Sequence, residues 1–320
     1  STPKPSSAAS DVYKRQDGTY NYANQNSNYS IKINHAIGLR SYYEANVFYS
    51  TTDYSQFLFE DPLDPNYVRT DWIDTEPSSA TFVFGGTQMG HSYRKSNSVG
   101  GKFDFTSQIT SKHEIKIGTS VRIDNLNEEN ITVLYNDQYR TPTVLPANES
   151  PYHNLYDDEA TFLSGYIQDK IEYANMIMNV GLRYDYFDPK SDYVENLLDP
   201  EGSKTTAEPK HMVSPRLGIS FPITDEGILH FSYGHFYQMP TLRRLYKTSV
   251  FGAGLAPSIG YADLKPEKTV NYEFGLQQQF TSILAINMSI FYKYIRDLLA
   301  LQSIHYESAK YGPSDYAIYL

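Results

Sequence analysis

The residues best suited to chemistry are acidic and aromatic side chains concentrated between residues 60 and 76. Carboxylates at this density can chelate a hard cation, and neighbouring aromatic rings can stack on a sugar. The group comprises Asp61, Asp64, Asp71, Asp74 and Glu76, together with Tyr67 and Trp72. Calcium loops normally have tighter Asp-x-Asp spacing and a glycine, and this stretch has neither. We therefore interpret it as a solvated loop.

The other residue types that support catalysis lack catalytic spacing. The eight histidines form no HExxH or other paired-ligand pattern, and His113 and Glu114 are merely adjacent at a turn. No GxSxG, P-loop or dinucleotide fingerprint occurs, and Gly85-Gly86 stands alone in a long loop. The sequence therefore predicts no catalytic residues, no bound metal, no cofactor and no enzyme activity.

Five aromatic side chains in predicted outward loops are the candidate ligand contacts. Aromatic side chains offer a large contact surface and lose little conformational entropy on binding. The candidates are Trp72, Tyr93, Tyr135, Tyr152 and Tyr156. We expect these loops, rather than a buried catalytic centre, to contact a ligand.

Tyrosine is unusually abundant, with 30 residues in a chain of 320 that has no cysteine and a formal net charge of -10. Tyrosine has an apolar ring and a polar tip, and it concentrates in girdles where barrels meet the membrane interface. A tyrosine-rich soluble β-protein is the alternative. The absence of cysteine excludes disulfides and thiolate metal sites.

Charge argues against a nucleic-acid partner, because phosphate binding requires clustered lysine and arginine and this chain is acidic. The nearest basic pair is Arg243-Arg244. At that length we interpret the pair as a solvated loop charge.

The hydropathy pattern excludes a membrane-spanning helix but allows a barrel. Mean hydropathy is -0.51, and no run of about 18 apolar residues occurs. A barrel strand needs only every second residue apolar over about ten residues. The segment from Ser282 to Tyr294 alternates in this way, with Leu284, Ile286, Met288, Ile290, Tyr292 and Tyr294 on one face and Asn287, Ser289 and Lys293 on the other.

Alternating segments of this kind come in pairs joined by tiny polar turns, which indicates hairpins. The predicted turns are near Gly38, at Thr110 to Lys112, Ala174-Asn175, Thr224 to Gly227 and Thr281-Ser282. About five hairpins give about ten strands. Between hairpins lie long stretches, at Thr52 to Asn97, Asn125 to Asp158, Asp188 to Val213 and Met239 to Asp263.

This rhythm predicts an all-β fold, an antiparallel transmembrane β-barrel wall with short periplasmic turns and long extracellular loops. Lipid offers no partner for a backbone N–H or C=O, so spanning strands must pair on both sides and close. Ten strands of a larger ring leave two open edges. Closure of the ten strands into a small barrel is the alternative. Because short periplasmic turns alternate with long extracellular loops, the first strand begins on the extracellular side near Tyr20 and the last ends on the same side after Arg296.

Three motifs resemble the TonB-dependent outer-membrane receptors. LKPEKTVNYEFG, from Leu264 to Gly275, is similar to a late-barrel signature that combines Leu-x-Pro-Glu-x-Ser/Thr with Tyr-Glu-x-Gly. SPRL, at Ser214 to Leu217, and FYQMPTLRRLY, at Phe236 to Tyr246, also resemble segments of that family in the same order. The residues that match the late-barrel signature are Leu264, Pro266, Glu267, Thr269, Tyr272, Glu273 and Gly275.

The resemblance implies a barrel portion only. The family's plug domain and N-terminal energy-coupling box should precede residue 17, and its full barrel, of about 22 strands, is about twice this wall. Residues 1–16 are expected to be a non-native leader, because DVYKRQ at Asp11 to Gln16 resembles a translated sequencing adapter. Residues 17–320 are then a partial barrel domain that lacks its plug and its barrel ends, including the closing strand.

The function implied by the resemblance is active uptake of a bulky nutrient such as a siderophore, a vitamin or an oligosaccharide across the bacterial outer membrane. Expected partners are outer-membrane lipid, the nutrient at the extracellular loops, and the TonB complex through the N-terminal region. A passive porin or adhesin barrel is the alternative, followed by an outer-membrane barrel enzyme. Loop composition does not distinguish among substrates.

Overall fold

The computed structural model describes residues 20–67, 87–136, 141–148, 150, 152–173, 175–199, 202–247, 258–308 and 312–319. The leader expected at residues 1–16 lies outside these residues. The elements in chain order are β1 (Asn21–Ala36), β2 (Ser41–Phe57), β3 (Gly90–Gln108), β4 (His113–Thr132), β5 (Leu134–Asn136), β6 (Thr141–Thr143), β7 (His153–Tyr173), β8 (Met176–Asp188), β9 (Asp192–Val194), β10 (Lys204–Thr206), β11 (Lys210–Thr224), β12 (Gly227–Gln238), α1 (Leu242–Tyr246), β13 (Ser258–Ile259), β14 (Glu267–Thr281), β15 (Leu284–Arg296), β16 (Leu301–Ser308) and β17 (Gly312–Tyr319).

Ten long strands form one antiparallel sheet in the order β1-β2-β3-β4-β7-β8-β11-β12-β14-β15. Neighbours in the sheet are neighbours along the chain, apart from short strands inserted in loops, so the wall is a simple meander. The predicted ten-stranded antiparallel wall is therefore confirmed. Within the described residues β1 and β15 are its two edges.

The short turns lie where the alternation ends. Gly38 has a φ of 76°, a left-handed conformation that glycine adopts without steric cost. The Ile37 amide donates to the Ser41 carbonyl at 2.7 Å and closes this first turn. The four other hairpins also turn at the predicted positions, although Ala174 itself lies outside the described residues.

The predicted loops Thr52 to Asn97 and Asn125 to Asp158 were too long, because the strands that flank them extend well past those boundaries, whereas the loops after β8 and β12 lie close to their predicted positions. β2 continues to Phe57, β4 runs to Thr132, and β7 begins at His153. Asn125 pairs with Glu159, and the β4–β7 ladder continues to Ile131. Above the membrane the outer face of a strand no longer needs apolar residues. The apolar alternation that marks a strand in the sequence therefore ends, although the backbone ladder continues.

One face of the wall is a continuous apolar belt. Directly paired residues share a face, and Leu217, Tyr233, Tyr272 and Tyr292 form one row across four strands. The next row is Ile219, Phe231, Phe274 and Ile290. Ile290 is 61% exposed and Tyr292 is 64% exposed, so this face needs an apolar solvent.

The belt has the height that a bilayer requires. On β14 its outward positions run from Val270 to Phe280. Ten residues of strand tilted by about 40° rise about 25 Å, which matches the apolar band of outer-membrane barrels. Within the described residues no helix is long and apolar enough to cross a membrane.

The opposite face is polar and contains the glycines. Arg216, Gly234, Asn271 and Lys293 form one row of this inner face. A Cβ at Gly275 would overlap the imidazole of His230 on the paired strand, so this glycine accommodates a neighbour within the wall.

A small second sheet was not predicted. β13, β17 and β16 form three strands in that order, in which β16 and β17 make a hairpin from Leu301↔Tyr319 to Ser308↔Gly312. Ile304, Tyr306 and Ile318 are its buried residues, and the half-buried Ile259 packs on them. The sequence around β16 has only a few apolar residues, so it shows no clear alternation that would predict a strand.

We expect Leu276→Arg to impair assembly of the full-length protein, because an arginine on the belt near the midplane costs about 2 to 4 kcal/mol. Gln277→Arg, one residue along the same strand on the inner face, should be tolerated. The folded fraction in outer-membrane preparations, read from heat-modifiable migration on gels, measures the difference. Equal tolerance at the two positions would contradict the assignment of the faces.

Candidate functional site

The loop between β12 and β14 folds back onto the inner face of the wall. Its helix α1 buries Leu245 and Tyr246, each 2% exposed. These two side chains complete a cluster with buried residues contributed by four strands and the loop, namely Leu126, Tyr156, Ala160, Phe187, Met212 and Leu264. The cluster is the largest buried apolar group in the described residues, and it joins the mouth loop to the barrel wall. We call residues 239–247 the mouth segment.

A buried carboxylate ties the mouth segment to the wall. Glu128 is 1% exposed and accepts four hydrogen bonds. Arg243 Nη2 donates to Oε1 at 2.7 Å and Asn130 Nδ2 at 3.1 Å. Oε2 accepts from the Tyr156 hydroxyl at 2.9 Å and from Arg94 Nε at 3.0 Å. Three strands and α1 therefore meet at one side chain.

The protonation states at this point follow from the contacts. Glu128 lies above the belt, since the last belt residue of β4 is Ile123. Burial alone would raise the pKa of Glu128, but hydrogen bonds from Asn130, Arg243 and Tyr156 outweigh it and hold the pKa below its ordinary value. Burial and the adjacent Glu128 carboxylate raise the pKa of Tyr156. At neutral pH Glu128 is therefore ionised and Tyr156 is a neutral donor.

A second anchor holds the other end of α1. The Tyr246 hydroxyl donates to the Pro189 carbonyl at 2.8 Å, in the loop after β8. Burial raises the pKa of Tyr246 and keeps this donor protonated. The Gly260 amide donates to the Lys247 carbonyl at 2.6 Å, and a Cβ at Gly260 would lie 2.7 Å from the Leu245 carbonyl oxygen. Glycine is thus required where the two limbs of the loop cross.

Below the mouth segment the inner face has a hollow of about 530 Å³. Gly181, Gly218 and Gly234 line it and leave it without side-chain bulk, while its polar lining includes Lys116, Tyr166, Arg183, Arg216 and Asn271. Arg183 is bound to Asp185, with Nη2 at 2.5 Å from Oδ1. The Arg216 guanidinium lies 5.0 Å from the Phe236 ring centre. The hollow is therefore polar, and its positive character comes from Lys116 and Arg216 because Asp185 neutralises Arg183.

A smaller hollow of about 280 Å³ lies where two strands separate. β11 pairs with β8 up to Lys210, but with β12 only from Arg216 onward. Pro215, which has no N–H to donate, stands at the fork. Ser214, Phe236 and Met239 line the hollow, so it connects the larger hollow to the mouth segment.

No group of three or more His, Cys, Asp or Glu side chains in the described part of the chain could hold a metal ion. In the acidic stretch, Asp61 Oδ1 accepts from the Leu63 amide at 2.9 Å and Asp64 Oδ1 accepts from the Asn66 amide at 2.8 Å. These two carboxylates therefore stabilise turns. Asp71, Asp74 and Glu76 lie outside the described residues.

Comparison with known proteins identifies the family. The family model described as "TonB dependent receptor-like, beta-barrel" matches residues 2–311. The chain belongs to the TonB-dependent receptors. A TonB-dependent heme receptor A of Haemophilus ducreyi is 27% identical over 163 residues, which cover 48% of this chain and 20% of that receptor.

Solved structures share the fold of this TonB-dependent receptor barrel. The outer membrane transporter YddB of Escherichia coli has a TM-score of 0.63 at 15% identity, covering 94% of this chain and 37% of that one. The copper transporter OprC has a TM-score of 0.59 at 16% identity, covering 93% and 42%. The chain thus spans well under half the length of these relatives. The belt and the family together place it in the bacterial outer membrane.

The predicted aromatic contacts of the receptor do not converge on one site. Tyr156 lies in β7 and reaches Glu128 on the inner face. Tyr93 lies on the outer face of β3, and its hydroxyl is 2.9 Å from His91 Nδ1. Tyr135 in β5 and Tyr152 before β7 are half-buried, and Trp72 lies outside the described residues. Their role in ligand binding stays a prediction.

The receptor's late-barrel motif connects the mouth to the wall. Leu264 is buried in the cluster around α1, and Pro266 precedes Glu267, which opens β14 opposite Gln238. Tyr272 lies in the belt, and Thr269 faces inward beside Phe236. Glu273 accepts a hydrogen bond from the Ser289 hydroxyl at 2.8 Å, and Gly275 faces His230. These contacts are structural ones.

Sequence reasoning missed the residues that hold the mouth segment. Arg243 was interpreted as a solvated charge and is instead paired with a buried carboxylate, so that interpretation was wrong. Glu128 is 115 residues away along the chain. The available signal was the position of Arg243 inside the Pro-Thr motif, but nothing in the sequence points to its partner.

We expect Glu128→Gln to release the mouth segment. Arg243 is half-exposed and only Glu128 is buried, so the relevant loss is that of a hydrogen bond to a charged group, worth about 1.5 to 3 kcal/mol. Trypsin should therefore cut after Arg243 or Arg244 at least tenfold faster than in the wild type. Glu129→Gln is the matched control, because Glu129 contacts His153 at 2.7 Å and does not touch the mouth segment. Equal cleavage of all three proteins would contradict the anchoring role.

The same anchor predicts a pH dependence with a defined sign. Because the pKa of Glu128 is lowered in the folded state, its stabilisation is present above the ordinary glutamate pKa and is lost as pH falls through the lowered value. A spin label at Thr241→Cys, in a chain without native cysteine, should be immobile at neutral pH and mobile only in acid. In Glu128→Gln the label should be mobile throughout. If the label instead became mobile near neutral pH, a titratable group other than Glu128 would hold the mouth segment.

Proposed function

We propose that the complete protein is an outer-membrane receptor that imports a bulky, anionic metal chelate, energised through TonB. The observation that carries the proposal is a mouth segment pinned by Glu128 above a cationic hollow, in a barrel of the TonB-dependent receptor family. A segment folded into the mouth favours gated passage over free diffusion. The heme receptor of H. ducreyi supports an iron-bearing cargo.

Charge supports an anionic ligand. Within the described residues no carboxylate pairs with Arg216, whose guanidinium contacts the Phe236 ring at 5.0 Å. Lys116 lines the same hollow, whereas the charge of Arg183 is matched by Asp185. Chelates that carry carboxylates or deprotonated oxygens would gain charge-assisted hydrogen bonds there, whereas a neutral oligosaccharide would gain less.

The passive porin is the second candidate. A porin requires a water-filled path, and the fold alone does not separate it from a receptor. The pinned mouth segment and the family match both favour the receptor. An enzyme has less support, because the relatives are named receptors and transporters.

The test is transport by cells that carry the whole protein under iron limitation. Uptake of a radiolabelled ferric siderophore or of heme should require both this receptor and TonB, while binding to isolated membranes should persist without TonB. Vesicle swelling with neutral sugars should show no open pore. Free permeation of sugars, without need for TonB, would favour the porin.

We expect Arg216→Ala to weaken binding of an anionic chelate by about tenfold or more, since a hydrogen bond to a charged group is worth about 1.5 to 3 kcal/mol. Lys95→Ala, on the outer face of β3 and 59% exposed, is the control. Titration of the purified receptor followed by calorimetry gives both affinities. An unchanged affinity in Arg216→Ala would remove this residue from the binding path.

A further inference from the structure

A basic patch lies on the outer face of the wall, directly above the tyrosine row of the belt. Above Tyr233, Tyr272 and Tyr292, the next row is His235, Val270 and Tyr294, and the row above that is Tyr237, Lys268 and Arg296. Lys268 and Arg296 are called the basic patch from here on.

The register fixes the height of the patch. Lys268 is four residues above Tyr272 on the same strand and the same face. Four residues of a strand tilted by about 40° rise about 10 Å. Tyrosine girdles lie at the membrane interface, so Lys268 and Arg296 stand at the level of the lipid headgroups. Their end of the strands carries the long loops, which places the patch in the outer leaflet.

The charges of the patch are poorly compensated within the protein. Lys268 and Arg296 are directly paired across β14 and β15, an arrangement of like charges that destabilises a sheet. Lys268 Nζ lies 5.3 Å from the Tyr237 ring centre. The carboxylate beside Arg296 is Asp297 at 3.7 Å, and the two side chains are 52% and 40% exposed. A bound anion would relieve this repulsion.

The other half of the wall differs at the same level. Lys95 on β3 has Asp53 of the paired strand 4.0 Å from its ammonium group. Lys190 is bound to Glu159 at 2.5 Å. There the positive charges are matched by carboxylates, so among the residues that the structure describes the uncompensated patch is confined to β14 and β15. An additional strand beside β15 would pair with its backbone and leave the outward side chains free.

We propose that the basic patch binds the phosphate of a phosphorylated lipid in the outer leaflet, with its acyl chains on the belt below. Lys268 and Arg296 would contact the phosphate. The apolar row of Phe231, Phe274 and Ile290 continues directly beneath the tyrosines and receives the chains. The lipid anchors the receptor at a fixed depth and orientation.

The test compares lipids and variants of the complete receptor in mild detergent. Native mass spectrometry measures how much diphosphorylated lipid A, or its dephosphorylated form, stays bound. The wild type should retain the phosphorylated form selectively. The double variant Lys268→Ala/Arg296→Ala should lose about thirtyfold in affinity for it, since each basic residue near a charged membrane surface adds about one kcal/mol.

Two controls separate this site from general charge and from misfolding. Lys95→Ala changes an outer-face lysine that has its own carboxylate and should bind like the wild type. Lys268→Arg/Arg296→Lys keeps both charges and should retain the lipid. Heat-modifiable migration establishes that each variant is folded. Equal retention of the two lipids by the wild type would overturn the proposal, as would equal loss in Lys95→Ala and the double variant.

Discussion

A backbone amide in hydrocarbon has no water to bind, and the rest of this structure depends on that constraint. Every strand that crosses the lipid must use both of its edges, so the wall becomes a meander in which chain neighbours are sheet neighbours. Alternating side chains then place one face in lipid and the other in the lumen. The apolar belt, the tyrosine row and the inner hollow all follow from this geometry.

On the inner face, the mouth segment is held against the wall in a polar environment. Apolar packing around Leu245 and Tyr246 supplies part of the attachment. The rest comes from one carboxylate, Glu128, buried and bound by four donors. Such a group is tolerated only when it is fully paired. The attachment is therefore sensitive to the loss of a single charge.

Some features of this receptor could be predicted because they are local. The alternation of Leu276 with Gln277 reports which face meets lipid, and the paired turns report the hairpins. The strand ends could not be predicted in the same way. Asn125 to Asn130 show no alternation, since their outer face lies above the belt and their inner face packs against the mouth segment, yet their backbone remains paired with β7. The hairpin of β16 and β17 was not predicted for a related reason, because its short strands contain too few apolar residues to show a clear alternation.

The sequence by itself determined the fold class, the number of hairpins, the faces of the strands and the family, because each depends on residue spacing within about 20 positions or on a continuous motif. Only the tertiary structure decided where the mouth segment lies and what holds it. Arg243 meets Glu128 across 115 residues of chain, and Lys268 meets Arg296 through the register of two strands. Contacts of this kind arise from how the wall and its loops pack in three dimensions, and the spacing of residues along one chain carries no record of them.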